Sequence, residues 1–175
     1  MKILDLGCGN RKYGLENNEV IGIDNVKLKG VDIVHDLNKF PYPIKNNEFD
    51  LIYTSHTLEH LDNLDKVFNE LIRILKNNGR IIIRVPHFSC GVSYRDPTHK
   101  RLFSYFTFDY FTDECYYTKS RFKIVNRKLN FTRLSFTFLN FFINPIINIS
   151  PLIYERFFCW MLPCAEVLAE LEVNK

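Results

Sequence analysis

Asp5, Gly7 and Gly9, in the run Ile3-Leu4-Asp5-Leu6-Gly7-Cys8-Gly9-Asn10, have the types and spacing to hold a ligand. Ile3, Leu4 and Leu6 form a short apolar strand that runs straight into two glycines. Glycine there lets backbone N–H groups approach a ligand that a Cβ would hold off. A dinucleotide fingerprint would need a third glycine at position 12, which is Lys12. Asp5 would also repel a pyrophosphate, which speaks against a nicotinamide cofactor.

Two further strand ends carry acids. Val20-Ile21-Gly22-Ile23-Asp24 places a carboxylate where open α/β sheets hydrogen-bond ribose hydroxyls, and Val31-Asp32-Ile33-Val34-His35 leads into Asp36-Leu37, suited to an adenine edge and face. Acidic strand ends are often only helix caps. Three in order, one of them D-x-G-x-G, point to a ligand with an ammonium group, a nucleoside and no phosphate: S-adenosylmethionine. The expected cofactor set is Asp5, Gly7, Cys8, Gly9, Asp24, Asn25, Asp36, Leu37 and Ser55.

The segments LDLGCGN, IGID, HDLNKFPYP, NNEFDLIYTSHTLEHL and LIRILKNNGRIIIRVPHF, in this order from Ile3 to about Phe88, resemble class I S-adenosylmethionine-dependent methyltransferases of the type 11 group. The later run YRDPTHKRLFSYFTFDYF resembles a short bacterial and archaeal subgroup of unassigned substrate. The resemblance implies an α/β fold, a Rossmann-like, mostly parallel seven-stranded sheet. In this chain the fold is pared down. Only Asn25 to Gly30 separate strands two and three, and Asn10 to Glu19 is short for a full helix, so helices around strands 1–3 are expected to be short or missing.

Methyl transfer needs two aligned reactants and, for a hydroxyl acceptor, removal of a proton. Histidine titrates near neutral pH, so His87, His56 and His60, after the fifth and fourth strands, are the candidate bases, with His87 preferred. His60 also reads as a residue at a helix start, and proximity alone suffices for many methyl transfers. Tyr94, Arg95, His99, Lys100 and Arg101 form a polar cluster suited to an anionic acceptor. The alternative is a capped turn in which Asp96-Pro97 starts a helix and the basic residues face solvent.

The elements that would position these groups follow from periodicity. Phe49 to Tyr53 reads as strand four. Leu64 to Leu75 reads as a helix stopped by Asn77-Asn78-Gly79, and Arg80 to Val85 as strand five. Phe122 to Phe131 and Val167 to Val173 read as strands six and seven, the last antiparallel. A helical insertion, about residues 133–164, lies between them. From Leu134 to Tyr154 it has 21 residues without a charge, broken by Pro145 and Pro151, with Asn140, Asn144 and Asn148 every fourth residue. This predicts two short helices that cap the substrate cleft and share an outer face with a membrane surface or a second copy of the chain. Tyr154 to Leu162 reads as a short amphipathic helix.

One domain of 175 residues is expected, 1–88 holding the cofactor and 89–175 the substrate side. A net charge of +3 without a basic block gives no nucleic-acid footprint. Five cysteines without a C-x-x-C pair indicate neither a disulfide framework nor a zinc site, so no metal is expected. The first strand begins almost at Met1, so the cytoplasm, with membrane contact through the insertion, is the expected location. The expected acceptor is a small or medium molecule of sugar, lipid-linked or phosphate-bearing type. The competing reading is a non-catalytic subunit of the same fold that stabilises a partner protein.

Overall fold

The computed structural model describes residues 1–14, 18–112, 115 and 122–175. Seven strands form one sheet in the order β3-β2-β1-β4-β5-β7-β6. They are β1 (Lys2–Leu6), β2 (Glu19–Asp24), β3 (Ile33–Val34), β4 (Phe49–Ser55), β5 (Leu75–Pro86), β6 (Phe122–Asn130) and β7 (Glu166–Val173). The first five are parallel, and β7 runs antiparallel to both β5 and β6. Ile3, Leu4, Leu6, Ile52, Ile81 and Ile83 are fully buried, as the central strands of a sheet covered on both faces require.

The helix α1 (Leu64–Ile74) covers one face through Val67, Phe68, Leu71 and Ile74, all without exposure, and the Phe68 ring stacks on Phe111 at 3.9 Å. Asn63 caps it by accepting the Lys66 N–H at 2.9 Å. The expected end of this helix is corrected. It stops at Ile74, and β5 begins at Leu75, so Asn77-Asn78-Gly79 lies inside a long irregular strand where Asn78 adopts φ +58°. A turn-forming cluster marks a break in the backbone, but not which element it breaks.

Among the described residues no helix lies between β1 and β2 or between β2 and β3, as the short spacers predict. The β2–β3 link instead runs close over the sheet. A Cβ on Gly22 would lie 2.4 Å from the Gly30 carbonyl oxygen and 2.6 Å from the Cys8 sulfur.

The insertion contains α3 (Asn140–Ile149) and α4 (Pro151–Ile153), the latter continued by a wider π turn through Phe158. The expected amphipathic helix over Tyr154 to Leu162 is thus shorter than predicted. Asparagine spacing explains how α3 attaches. Asn148, Asn144 and Asn140 accept the backbone N–H groups of Leu129, Phe131 and Thr132 at 2.7, 2.8 and 2.9 Å. Asn148 and Asn140 also donate to the Leu129 and Thr132 carbonyls. Strand β6 is the sheet edge, and these amides occupy hydrogen-bonding groups at its end and on the two residues that follow it, which another strand would otherwise take.

The polar stripe of α3 therefore faces the protein, and its apolar side faces out. Phe141, Ile146 and Ile149 are 79%, 64% and 82% exposed. Among the described residues no single helix is long and apolar enough to cross a membrane. Thr137–Ile149 and Pro151–Phe158 together have the length, but are bent by 95°.

Candidate active site

The carboxyl ends of β1, β2 and β4 converge on a cleft of about 230 Å³, lined by Gly7, Asp24, Asn25, Asp36, Leu37, Asn38, His56, Thr57, His60 and Leu61. A larger depression of about 450 Å³, beside Asn78, Phe122 and Glu172, lies at the opposite ends of the strands, away from these groups. Ligands in open α/β sheets bind at the carboxyl ends.

The glycine loop owes its shape to packing beneath it. Gly7 has φ +75°, and a Cβ there would sit 2.1 Å from the Thr57 Oγ1. Thr57 reaches under the loop to donate to the Leu6 carbonyl at 3.2 Å. Gly9 donates its N–H to the Asp24 Oδ2 at 3.0 Å, and nothing lies within 4 Å of where its Cβ would be. The space over Gly9 is open, and Asp24 sits at its edge.

Asp5 differs from its expected place. It is 3% exposed, does not line the cleft, and accepts the Tyr13 N–H at 2.6 Å, while the Tyr13 ring stacks on Tyr53 at 3.8 Å. Its carboxylate anchors the loop. Burial pushes its pKa up to about 6, helped by Asp24 and opposed by the Tyr13 N–H and Lys12. Cys8 is likewise buried beneath the loop, with its sulfur toward the Gly30 carbonyl at 3.4 Å, and burial raises its pKa to about 11. Ser55 ends β4 outside the lining. Of the expected cofactor residues, the structure brings Gly7, Asp24, Asn25, Asp36 and Leu37 to the cleft wall, with Gly9 at its rim.

The three histidines separate. His87 is fully buried: Nδ1 accepts the Ser89 N–H at 3.2 Å and lies 2.8 Å from the Ser89 Oγ, while Nε2 lies 3.1 Å from Glu155. With both nitrogens engaged and no exposure, it ties the end of β5 to the insertion. The preferred base role is corrected on that ground. Glu155 also accepts from the Ser104 hydroxyl and the Tyr105 N–H. Burial would raise its pKa, but the hydrogen bonds of His87, Tyr105 and Ser104 lower it on balance.

His56 lines the cleft at φ +54°. Its Nε2 lies 2.9 Å from the Glu166 Oε1 and its Nδ1 3.3 Å from the Glu59 Oε1. Burial alone would pull its pKa down and Arg133 opposes protonation, but the two carboxylates raise it above the ordinary histidine value. The two carboxylates favour the protonated, hydrogen-bond-donating form, which counts against a base role for His56. His60 also lines the cleft, with its Nδ1 2.9 Å from the Thr98 Oγ1.

Glu166 was not singled out from the sequence, because it stands 110 residues from His56. It is 1% exposed and paired with His56, Arg84 at 2.6 Å, Arg133 at 3.1 Å and the Asn130 amide at 3.3 Å. Burial would raise its pKa, yet His56 and Arg84 hold it down at about 2. The ordinary value of 4.5 applies unfolded, so the stabilisation is complete above about pH 4.5 and is lost as pH falls from there toward 2. Urea unfolding of the wild type and Glu166→Gln should show a gap of about 2–3 kcal/mol near neutral pH that narrows below about pH 4.5 and closes near pH 2. A gap independent of pH would remove this carboxylate from the account.

The basic cluster is mostly structural. Lys100 pairs with Asp62 and its N–H donates to the Glu59 carbonyl at 2.8 Å, while Arg101 donates to the Leu61 and Asp62 carbonyls. The expected helix at Asp96-Pro97 is absent. The helix α2 (Val92–Arg95) ends before it, and Asp96 accepts from the Thr98 N–H and hydroxyl in a turn. Tyr94 and Arg95 are exposed, and His99 donates from Nδ1 to the Ser93 carbonyl at 3.2 Å.

The lining suits a nucleoside with an ammonium group. Asp24 and Asp36 disfavour phosphate, and the open space over Gly9 accepts a ligand that a side chain would fill. The strand order, the reversed β7 and this site define the class I S-adenosylmethionine-dependent methyltransferase fold. Residues 4–83 match the family described as a methyltransferase domain, and the sheet around that stretch has the Rossmann-like methyltransferase fold.

An S-adenosylmethionine-dependent methyltransferase from Archaeoglobus fulgidus superimposes with a TM-score of 0.65 at 19% identity, covering 98% of this chain and 85% of that one. An uncharacterised protein of Methanocaldococcus jannaschii is 37% identical over 92 residues, 47% of this chain and 40% of its own length. A sterol 4-C-methyltransferase of Caenorhabditis elegans is 28% identical over 100 residues, 46% of this chain and 29% of its own. The matched stretch thus spans less than half the length of these curated relatives.

Asp24→Ala should weaken S-adenosylmethionine binding by about 1.5–3 kcal/mol, through loss of a charged acceptor for ribose hydroxyls. Calorimetric titration of the purified variant checks it, and unchanged affinity would sink the ribose assignment.

Proposed function

We propose that this chain transfers a methyl group from S-adenosylmethionine to a small or medium-sized acceptor that is lipid-borne and met at a membrane surface. The cofactor supplies an electrophilic methyl carbon when bound. The protein's own residues hold and orient: Asp24 and Asp36 on the nucleoside, the Gly7–Gly9 loop beneath it, and His56 as a hydrogen-bond donor at the cleft wall. His87 is enclosed and His56 is held between two carboxylates, so of the three histidines only the cleft-lining His60 remains free to take a proton, and alignment of the reactants does the rest.

The observation that carries the reading is the reversed polarity of α3 on the β6 edge of the sheet. Its asparagines face the protein, and a charge-free apolar surface faces out. Exposed apolar patches of this extent mark partner or membrane contact. The same insertion reaches the cleft wall through Arg133 on Glu166, which pairs with the cleft-lining His56. The curated relative named a sterol 4-C-methyltransferase supports a lipid acceptor.

The protein, incubated with methyl-labelled S-adenosylmethionine and either a lipid extract or the soluble metabolite pool, should place label in the lipid fraction. Label confined to the soluble pool would overturn the lipid acceptor. Cofactor binding with no transfer to either pool would favour the non-catalytic reading.

A further inference from the structure

Glu59 is fully buried, yet among the described residues neither of its carboxylate oxygens makes a well-aligned hydrogen bond. A buried carboxylate without hydrogen bonds is costly, and such a group calls for an explanation. The nearest nitrogens are the His56 Nδ1, in an ion pair at 3.3 Å, and the His99 Nε2 at 3.9 Å, the latter also 3.8 Å from the Asp96 Oδ2. Glu59, His60 and His99 each offer a ligand atom, and these atoms lie within 4.8 Å of one another.

The hydrogen bonds behind the two imidazoles fix which nitrogen faces the carboxylate. His99 Nδ1 meets the Ser93 carbonyl, which can only accept, so Nδ1 carries the proton and neutral His99 presents the Nε2 lone pair toward Glu59. Thr98 has one hydroxyl proton, and it goes to the Asp96 Oδ1 at 2.6 Å. The Thr98 oxygen must then accept from the His60 Nδ1, which leaves the His60 Nε2 lone pair free as well. Beside its pair with His56, the Glu59 carboxylate converges with two imidazole lone pairs and no proton between them. A cation is what such a constellation lacks. Outer hydrogen bonds to the far nitrogen are also the usual orienting arrangement of metal-binding histidines.

We propose that Glu59, His60 and His99 bind a divalent transition metal ion at the edge of the cofactor cleft. Two imidazoles and one carboxylate suit zinc or a neighbouring first-row ion, whereas magnesium prefers oxygen alone. Around a bound ion the ligand atoms stand about 3–3.6 Å apart, so the site closes by about 1 Å on binding. The loop carrying His99 is already fastened to the turn carrying Glu59 by the Lys100 N–H and by Arg101. The basic residues expected to grip an acceptor thus position a ligand instead. His60 lines the cleft, so the ion's open positions lie beside the bound cofactor. Resting on the methyltransferase reading, those positions would take an oxygen of the acceptor and lower the pKa of an acceptor hydroxyl, with His60 engaged as a ligand rather than as a base.

The test is zinc titration of the chelator-treated full chain by calorimetry, with cobalt(II) absorption as a second readout. The wild type should bind one ion per chain. His60→Ala and His99→Ala should each weaken binding more than about 100-fold, and Thr98→Val, which removes only the outer hydrogen bond, about 10–100-fold. Retained S-adenosylmethionine binding in His99→Ala shows that the variant folds. Absence of stoichiometric zinc binding overturns the proposal. So does wild-type affinity in both histidine variants, or a cobalt thiolate charge-transfer band, which would place the ion on a cysteine. Zinc binding is read without acceptor or turnover, so failure of the methyltransferase reading would leave this result intact.

Discussion

Gly7→Val should abolish S-adenosylmethionine binding and lower the stability of the domain by about 2–5 kcal/mol, from backbone strain at positive φ and from overpacking. The first contribution follows from φ +75°, where a β-branched residue is strained. The second follows from Thr57, whose Oγ1, Cγ2 and Cβ lie 2.1, 2.5 and 2.8 Å from the added Cβ. Thr57 cannot yield freely, because it is buried and bonded to the Leu6 carbonyl. The loop must move instead, and with it the Gly9 N–H that Asp24 holds. A companion variant separates the two effects. Gly7→Ala combined with Thr57→Ala keeps the strain but leaves only the 2.8 Å contact, so it should recover part of the stability. Thermal unfolding and calorimetric titration read both. Wild-type affinity in Gly7→Val would show that this loop is not the cofactor's cradle.

The sequence makes the cofactor half legible because its signals are local. Strand, turn and acid follow one another within a few residues in Leu4 to Gly9 and again in Val20 to Asp24, and local patterns survive folding. Spacing also carries the absent helices, since eight residues between β2 and β3 leave little room for one. What is not legible depends on which distant side chain arrives. His87 directly follows a strand end, as a base should, but Glu155 from the insertion closes over its Nε2. Asp5 has the right chemistry for an ammonium group, but the Tyr13 N–H takes it first. Glu166 gives no sequence signal at all. It is an acid at the start of a strand, and only folding surrounds it with His56, Arg84 and Arg133. The four-residue asparagine rhythm is visible in the sequence as a helical stripe. Its partner, the backbone edge of β6, is not.

That stripe decides the second large effect. Because Asn140, Asn144 and Asn148 fasten α3 to β6, the outer residues are free of any structural duty toward the sheet, and changing them tests their partner directly. Phe141→Ser, Ile146→Ser and Ile149→Ser together should leave the fold and S-adenosylmethionine binding unchanged, since these side chains are at least 64% exposed. Binding to phospholipid vesicles should fall at least about 100-fold. Burying each large side chain contributes about 1.5–3 kcal/mol, and three chains that insert only partly still exceed the roughly 3 kcal/mol this requires. Asn144→Ala works in the opposite direction. It strips the Phe131 N–H of its acceptor and should cost the fold about 1–3 kcal/mol, while the lipid-facing side chains remain. Vesicle sedimentation and thermal unfolding distinguish the pair. A wild-type protein that ignores vesicles but dimerises in solution, and becomes monomeric in the triple variant, would assign the apolar face to a second copy of the chain and refute the lipid contact.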